Sequence, residues 1–391
     1  MSFRTSVLAL STAVAVSTGA FVAPVATAAE FPPAGSVPVA ELNVNYPDGA
    51  LAYVFAEPVM QSDIDLVTRQ VRQLRGKAWD ANLPFDGATL QQAAAAAGYH
   101  TREEYMNAIS WDRGLEHAVL QRAAEENLDF NHERLPGVGA FGVIDNLLAG
   151  ENLTTADMPG AIASWSTDSN QGSSEWEQLV RANGQRNPQN GHFYSIIDPV
   201  HVTFAQAQVG KVTAGFFSNR DMPGEPARIT GRHAFPIAVP ESAVNDAELM
   251  TTGGTSVGSQ GSLGLSIDGF WGAKLGVPVA SPSSSDPEVL KVNEDGTYEA
   301  KSEGTVTVTF NTYVVRNGQP QLSDNQVTKI VQVTKKSLAG NLSSGGADAG
   351  TIVVIIAGVL ALIGVAARWR ASWEFCAKYL GMKKSSLRHC S

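Results

Sequence analysis

Helical patterns fill the first half of this chain and strand patterns the second, and that order limits the fold more than any other feature. Residues Val59 to Arg75 place Ile64, Val67, Val71 and Leu74 on one helix face, opened by Ser62-Asp63. Gly87 to Ala97 is Ala-rich and reads as a second helix stopped at Gly98. Thr101 to Asn127 is the strongest pattern. Thr101 and Glu104 make a capping box, and Trp111, Leu115, Ala118, Val119, Arg122 and Ala123 recur at helical spacing. Ser110-Trp111-Asp112 predicts a break and a restart inside that stretch. Asp129 to Gly142 loses the pattern; Thr155-Ala156-Asp157 then caps a helix running through Trp165, and Ser173 to Glu177 starts another. Val200 to Gln208 and Val212 to Phe217 alternate as paired strands, and β-branched residues alternate with turn signals over 243–336. Helices followed by strands, without βαβ alternation, predict an α+β fold.

The ends suggest an address. Residues 1–29 read as a signal peptide: Arg4, an uncharged run from Val7 to Val25, then Ala26-Thr27-Ala28 as a small-x-small cleavage site. Residues 349–367 carry no charge and would span about 28 Å as a helix, close to a hydrocarbon core. Arg368, Trp369 and Arg370 follow, so the positive-inside rule puts the 368–391 tail in the cytoplasm. The expected layout is an exported, single-pass protein of the cell membrane. Its N-terminal ectodomain lies outside, on a Gly/Ser spacer at 337–348.

Charge and cysteine usage narrow the partners. Net charge is −10, yet the tail holds six basic residues and one acid. Without that tail and Arg4, 21 basic residues face 37 acidic ones, near −16. Such a surface excludes nucleic acid as a partner, because phosphate neutralisation needs clustered Lys and Arg. The only cysteines are Cys376 and Cys390, so the ectodomain has no disulfide and rests on its core.

The chemistry-bearing stretch is Asn190-Gly191-His192-Phe193-Tyr194-Ser195. Upstream candidate partners are His132, Glu151 and an acidic residue between Asp168 and Glu177. Two imidazoles can bind a divalent metal such as zinc, and a carboxylate can orient them. The same set could do acid–base work, or could be a hydrogen-bonded network that fixes the fold. Ser195 lacks a Gly-x-Ser-x-Gly elbow and reads as a turn serine. His201 reads as a strand residue; His100 and His117 read as surface and helix-face residues.

Trp111-Asp112, Leu115, Arg122-Ala123, His132-Glu-Arg-Leu-Pro-Gly, Gly150-Glu151-Asn152-Leu153, Trp165 and Gly191-His192-Phe193-Tyr194 together resemble the CAP superfamily. That group is named after cysteine-rich secretory and pathogenesis-related proteins, and its modules are also called SCP domains. The likeness covers about residues 100–218. It implies an α-β-α sandwich with a cleft where two His and two acids converge. His132, Glu151 and His192 fall on the cleft positions, and Asp168, three residues after Trp165, on the fourth; Glu175 and Glu177 are the alternatives. Ser283 to Ala300 and Gly304 to Val308 resemble group 2 bacterial immunoglobulin-like domains.

These readings give a CAP-type α-β-α sandwich, then an all-β immunoglobulin-like sandwich and one C-terminal transmembrane helix at 349–367. The boundaries are a CAP domain with helical extension at 48–225, a linker at 226–242 and the immunoglobulin-like domain at 243–336. Three functions follow from the resemblance. The first is a surface module whose His/acid cleft binds a small apolar or lipid-like ligand or a partner protein, with His132 and His192 as metal ligands. The others are a metal- or His/acid-dependent hydrolase of the envelope and a structural or adhesive surface protein.

Overall fold

The computed structural model describes residues 32–37, 42, 46–57, 59–134, 138–139, 150–169, 172–222 and 226–335. The signal peptide expected at 1–29, the spacer expected at 337–348, the span expected at 349–367 and the basic 368–391 stretch lie outside the described residues. Among those described, no helix is long and apolar enough to cross a membrane.

Strand β1 (Gly49–Ala56) comes first, then helix α1 (Gln61–Asp80), whose Ile64, Val67, Val71 and Leu74 are buried. A hairpin of β2 (Pro84–Phe85) and β3 (Ala88–Thr89) leads into α2 (Leu90–Ala96) and α3 (Arg102–Asn107). Thr101 and Glu104 form the expected capping box at α3. The expected break is present: β4 (Ser110–Trp111) interrupts the helices, and the Asp112 carboxylate accepts from Leu115 N–H to start α4 (Arg113–Glu125). Next come β5 (Glu133–Arg134), β6 (Val138–Gly139), β7 (Gly150–Thr154), α5 (Met158–Ser164), α6 (Glu175–Arg181) and α7 (Gly191–Ile197). The hairpin β8 (Thr203–Val209) and β9 (Val212–Ser218) follows, then β10 (His233–Val239) and α8 (Glu241–Asn245). The remainder is strand: β11 (Glu248–Thr251), β12 (Gln260–Asp268), β13 (Lys274–Val277), β14 (Val279–Ser284), β15 (Leu290–Val292), β16 (Thr297–Ala300), β17 (Gly304–Arg316) and β18 (Gln319–Val333).

The fold class departs from the expected pair of sandwiches. Strand outweighs helix, 37% against 27%, and most strands join one large, nearly closed antiparallel sheet. Its order is β14-β17-β1-β13-β12-β16-β15, with β10 beside β1, β11 beside β12 and β18 beside β17. Strand β1 therefore sits inside the sheet built by residues 248–333, not in a helical extension. It pairs with β10 over seven residues, from Ala50↔Val239 to Ala56↔His233, and touches β17 and β13. The physical cause is burial. Ala50, Leu51, Ala52, Tyr53 and Val54 are all buried, so the run is a central strand apolar on both faces. One hydrophobic core cluster accordingly reaches from Leu42 to Val333.

Gly276 makes that seam tight. A Cβ at Gly276 would lie 2.3 Å from the Tyr53 ring, so only glycine lets β13 approach β1 there. The second sheet is small and carries the candidate site. Its order is β4-β8-β9-β7, with β4 parallel to β8 and the other pairs antiparallel. Helix α4 packs against β8 and β9 and also against β10, so it joins the two sheets. Helices α1 and α7 pack together, and α7 lies against β7.

Candidate functional site

Helix α4 ends on a buried charge cluster. Arg122 is fully buried and donates from Nε to Glu151 Oε1 at 2.8 Å and from Nη1 to Glu125 Oε2 at 2.8 Å. Its Nη2 donates to Glu126 Oε1 and, at 3.2 Å, to the Asn131 carbonyl. Arg134, also buried, pairs with Glu125. Burial works against the Arg122 charge, but Glu151, Glu125 and Glu126 outweigh it and hold the guanidinium above its ordinary value. Burial works to raise the Glu125 carboxyl as well, and there Arg134 and Arg122 win, keeping it below the usual range. Glu126 is the reverse: burial pushes it up to about 9, against the pull of Arg122.

This cluster holds the loop that carries His132. Glu126 Oε2 accepts from Asn131 N–H at 2.6 Å, so the chain leaving α4 is clamped at both its amide and its carbonyl. His132 Nδ1 then lies 2.8 Å from Glu151 Oε2. The Glu151 side chain is 2% exposed while that of His132 is 58% exposed, so a buried carboxylate orients an imidazole that faces solvent.

Gly150-Glu151-Asn152 supplies three separate functions from three consecutive β7 residues. A Cβ on Gly150 would lie 2.7 Å from Ser195 Oγ, so glycine lets α7 close onto β7. Glu151 joins Arg122 to His132. Asn152 Nδ2 donates to the His192 carbonyl at 3.1 Å and anchors the first turn of α7.

His192 has its own carboxylate. Its Nδ1 is 2.7 Å from Glu175 Oε1, and the other Glu175 oxygen accepts from Phe193 N–H at 2.9 Å. Trp176 stacks on Phe193 at 5.0 Å, fixing α6 against α7. The His132 and His192 rings are 6.1 Å apart between centroids, and Trp165 lies 6.4 Å from His192. Among the described residues neither Nε2 has a hydrogen-bond partner.

Of the expected residues, the structure brings together His132, Glu151, His192 and Glu175. Asp168 is corrected. It is exposed in the turn after α5, where its backbone N–H donates to Ala163 O, and Glu175 holds the imidazole instead. The reason is that α5 ends at Ser164, and the chain turns away before α6 returns with Trp176 N–H on Ser166 O. Glu177 closes the capping box with Ser174 and does not reach His192. No group of three or more His, Cys, Asp or Glu positioned for a metal ion occurs among the described residues, so His132 and His192 are at most two ligands of such an ion.

The other polar residues have structural work. Ser195 is buried and donates to Gly191 O at 2.9 Å, within the turns of α7. His201 is buried with Nδ1 2.6 Å from Ser195 O, and burial lowers its pKa. His117, read as a helix-face residue, is buried and ties Leu42 O at 2.8 Å to Ala227 O at 3.1 Å. Arg122 was expected in the helix stripe and among the residues of the CAP resemblance, without a partner assigned to it. Its adjacency to Glu125 and Glu126 at helical spacing was the available signal for the cluster.

Comparison with known proteins gave no match to a family model, a curated protein or a solved structure.

Proposed function

We propose that the protein is an exported binding module and that His132, His192, Glu151 and Glu175 form its ligand site. One observation carries this reading. Each imidazole has Nδ1 against a carboxylate, the rings are 6.1 Å apart, and neither Nε2 has a partner among the described residues. A carboxylate on Nδ1 fixes the tautomer and makes Nε2 a better donor of its lone pair, as in the outer shell of metal sites. Two such nitrogens supply half of a tetrahedral coordination set. Water or the ligand itself completes it, so the site suits a divalent cation such as zinc that bridges to an oxygen-bearing ligand. The open face toward solvent supports capture of a small molecule or a partner's side chain. Export is supported by the signal-like residues 1–29.

The test is zinc titration of the full-length chain by calorimetry. His132→Ala and His192→Ala are each expected to abolish binding while the protein stays folded by circular dichroism. Glu175→Gln keeps the shape but loses the orienting charge, and should weaken zinc about 10- to 100-fold. Zinc bound as tightly by both alanine variants as by the wild type would overturn the assignment.

A further inference from the structure

We propose that His117 is a pH-operated latch: with a proton on each ring nitrogen it ties the chain at Leu42 and the stretch 226–230 to helix α4, and loss of one proton lets 226–230 go. His117 lies within α4 and is 6% exposed. Its Nδ1 is 2.8 Å from Leu42 O and its Nε2 is 3.1 Å from Ala227 O. Both partners are backbone carbonyls, which only accept. A neutral imidazole has one N–H and one lone pair, so it donates to one carbonyl while its other nitrogen faces an oxygen lone pair. Only the imidazolium donates to both. Among contacts between described residues, His117 is the one histidine with an acceptor at each ring nitrogen. His132, His192 and His201 have one at Nδ1, and His233 has one at Nε2.

The neighbours give the ring no other way to satisfy both nitrogens. On α4, Glu116 accepts from Trp111 Nε1 at 2.8 Å and from Arg228 Nε at 3.3 Å, and Arg113 lies one turn before the ring. Arg228 comes from the latched stretch itself. Strands β8 and β9, packed against α4, carry no titratable residue. Strand β10 carries His233 alone, whose Nε2 lies 2.9 Å from Thr230 O. Tyr46, just after Leu42 in the chain, has its phenol pushed up to about 12 by burial and by Glu125, so it stays neutral. Among the described residues no carboxylate touches the His117 ring.

The two contacts are unequal. Leu42 is 1% exposed and belongs to the core cluster, so a ring with one proton left keeps its shorter bond there. Ala227 is exposed, and its carbonyl turns to water instead. That loosens a stretch reaching across two helices. Arg228 donates from Nη2 to Val59 O at 2.7 Å and from Nη1 to Gln61 Oε1 at 2.9 Å, at the start of α1, and Ile229 packs on the core. Imidazole is the side-chain group that changes charge between pH 5 and 8, so mild alkalinisation is the signal such a latch reads.

The experiment titrates the full-length chain, with 15N-labelled histidine, from pH 5.5 to pH 8.5. At the acid end the His117 ring should show a proton on each nitrogen, and at the alkaline end one, on Nδ1. As the second proton leaves, subtilisin cleavage within 226–230, corrected for its rate on an unfolded substrate, should rise about tenfold, the effect of losing one hydrogen bond from a charged donor. His117→Leu lacks both donors and should be cut fast throughout, and His233→Ala should keep the wild-type step. A single neutral tautomer of His117 at pH 5.5 overturns the proposal, and so does a ring that keeps both protons to pH 8.5. A cleavage rate indifferent to the proton, a step that survives in His117→Leu or one that disappears in His233→Ala overturns it too. Should His117→Leu fail to fold, ring protonation and cleavage of the wild type decide the matter.

Discussion

Glu126 shares a buried pocket with Arg122, yet burial holds its carboxyl at about 9. The unfolded chain releases the same proton near 4.3. Between those values the unfolded state binds fewer protons, so stability falls as pH rises. The contribution is fully present below about 4.3 and gone above about 9. The largest slope for one proton is about 1.4 kcal/mol per pH unit. Thermal melts should show the wild type losing stability from pH 7 to pH 9, with a flatter profile in Glu126→Gln. That range lies above the titration of His201, whose lowered pKa acts on the acid side. An identical slope in both proteins would show that Glu126 is ionised across the range. Three of the four residues of the proposed site were legible because each sits in a short, distinctive string: His132 before Glu-Arg, Glu151 between Gly and Asn, His192 after Asn-Gly. For the fourth, Glu175 stood only as an alternative to Asp168, because counting from Trp165 assumes a continuing helix and α5 has already ended.

At the scale of elements, four helix starts were readable, while the uncapped start of α1 at Gln61, expected at Ser62-Asp63, and two strands were not. Thr101, Asp112, Asp157 and Ser174 all cap helices, because a short side-chain oxygen followed by a free N–H is a local device. Asp112 does more than cap: its Oδ1 accepts from Leu115 N–H at 2.8 Å and its Oδ2 from Met222 N–H at 2.8 Å, 110 residues away. Asp112→Ala should therefore cost about 2 kcal/mol, the upper end for a lost cap, because it also frees Met222 from the helix start. Urea denaturation checks this, and a loss under about 0.5 kcal/mol would mean water replaces both bonds. Strand β1 was hidden because it is apolar on both faces, so it shows no alternation, and its partners lie nearly 200 residues or more downstream. Strand β10 was hidden by Pro236, which argues against a paired strand. It is tolerated opposite Tyr53, and its carbonyl accepts from Gln121 Nε2 on α4 at 2.8 Å.

For the whole molecule, the consequence is that residues 243–336 are not expected to fold alone. Strand β1 lies between β17 and β13 in the sheet order, and β10 pairs alongside β1. Cutting the chain at residue 243 removes both and exposes Val277, Val279, Val314 and Val315, which are buried in the intact protein. It also removes Tyr53, whose ring occupies the space left by Gly276. A sheet split at its middle leaves unpaired strand edges and an opened core, and each exposed valine forfeits about 1.5 kcal/mol or more. Expressed by itself, the 243–336 segment should lack a cooperative thermal transition, whereas the full chain should melt its described body in a single one. Adding Gly49–Ala56 and His233–Val239 through a linker should restore cooperativity to the segment. Gly276→Val gives the same test inside the intact chain: its branched side chain would collide with the Tyr53 ring. It should lower the melting temperature of the whole body together, because β1 ties residues 49–239 to residues 248–333 through one core. Two separate transitions, one of them untouched by Gly276→Val, would show that the sheet joins two independently stable parts.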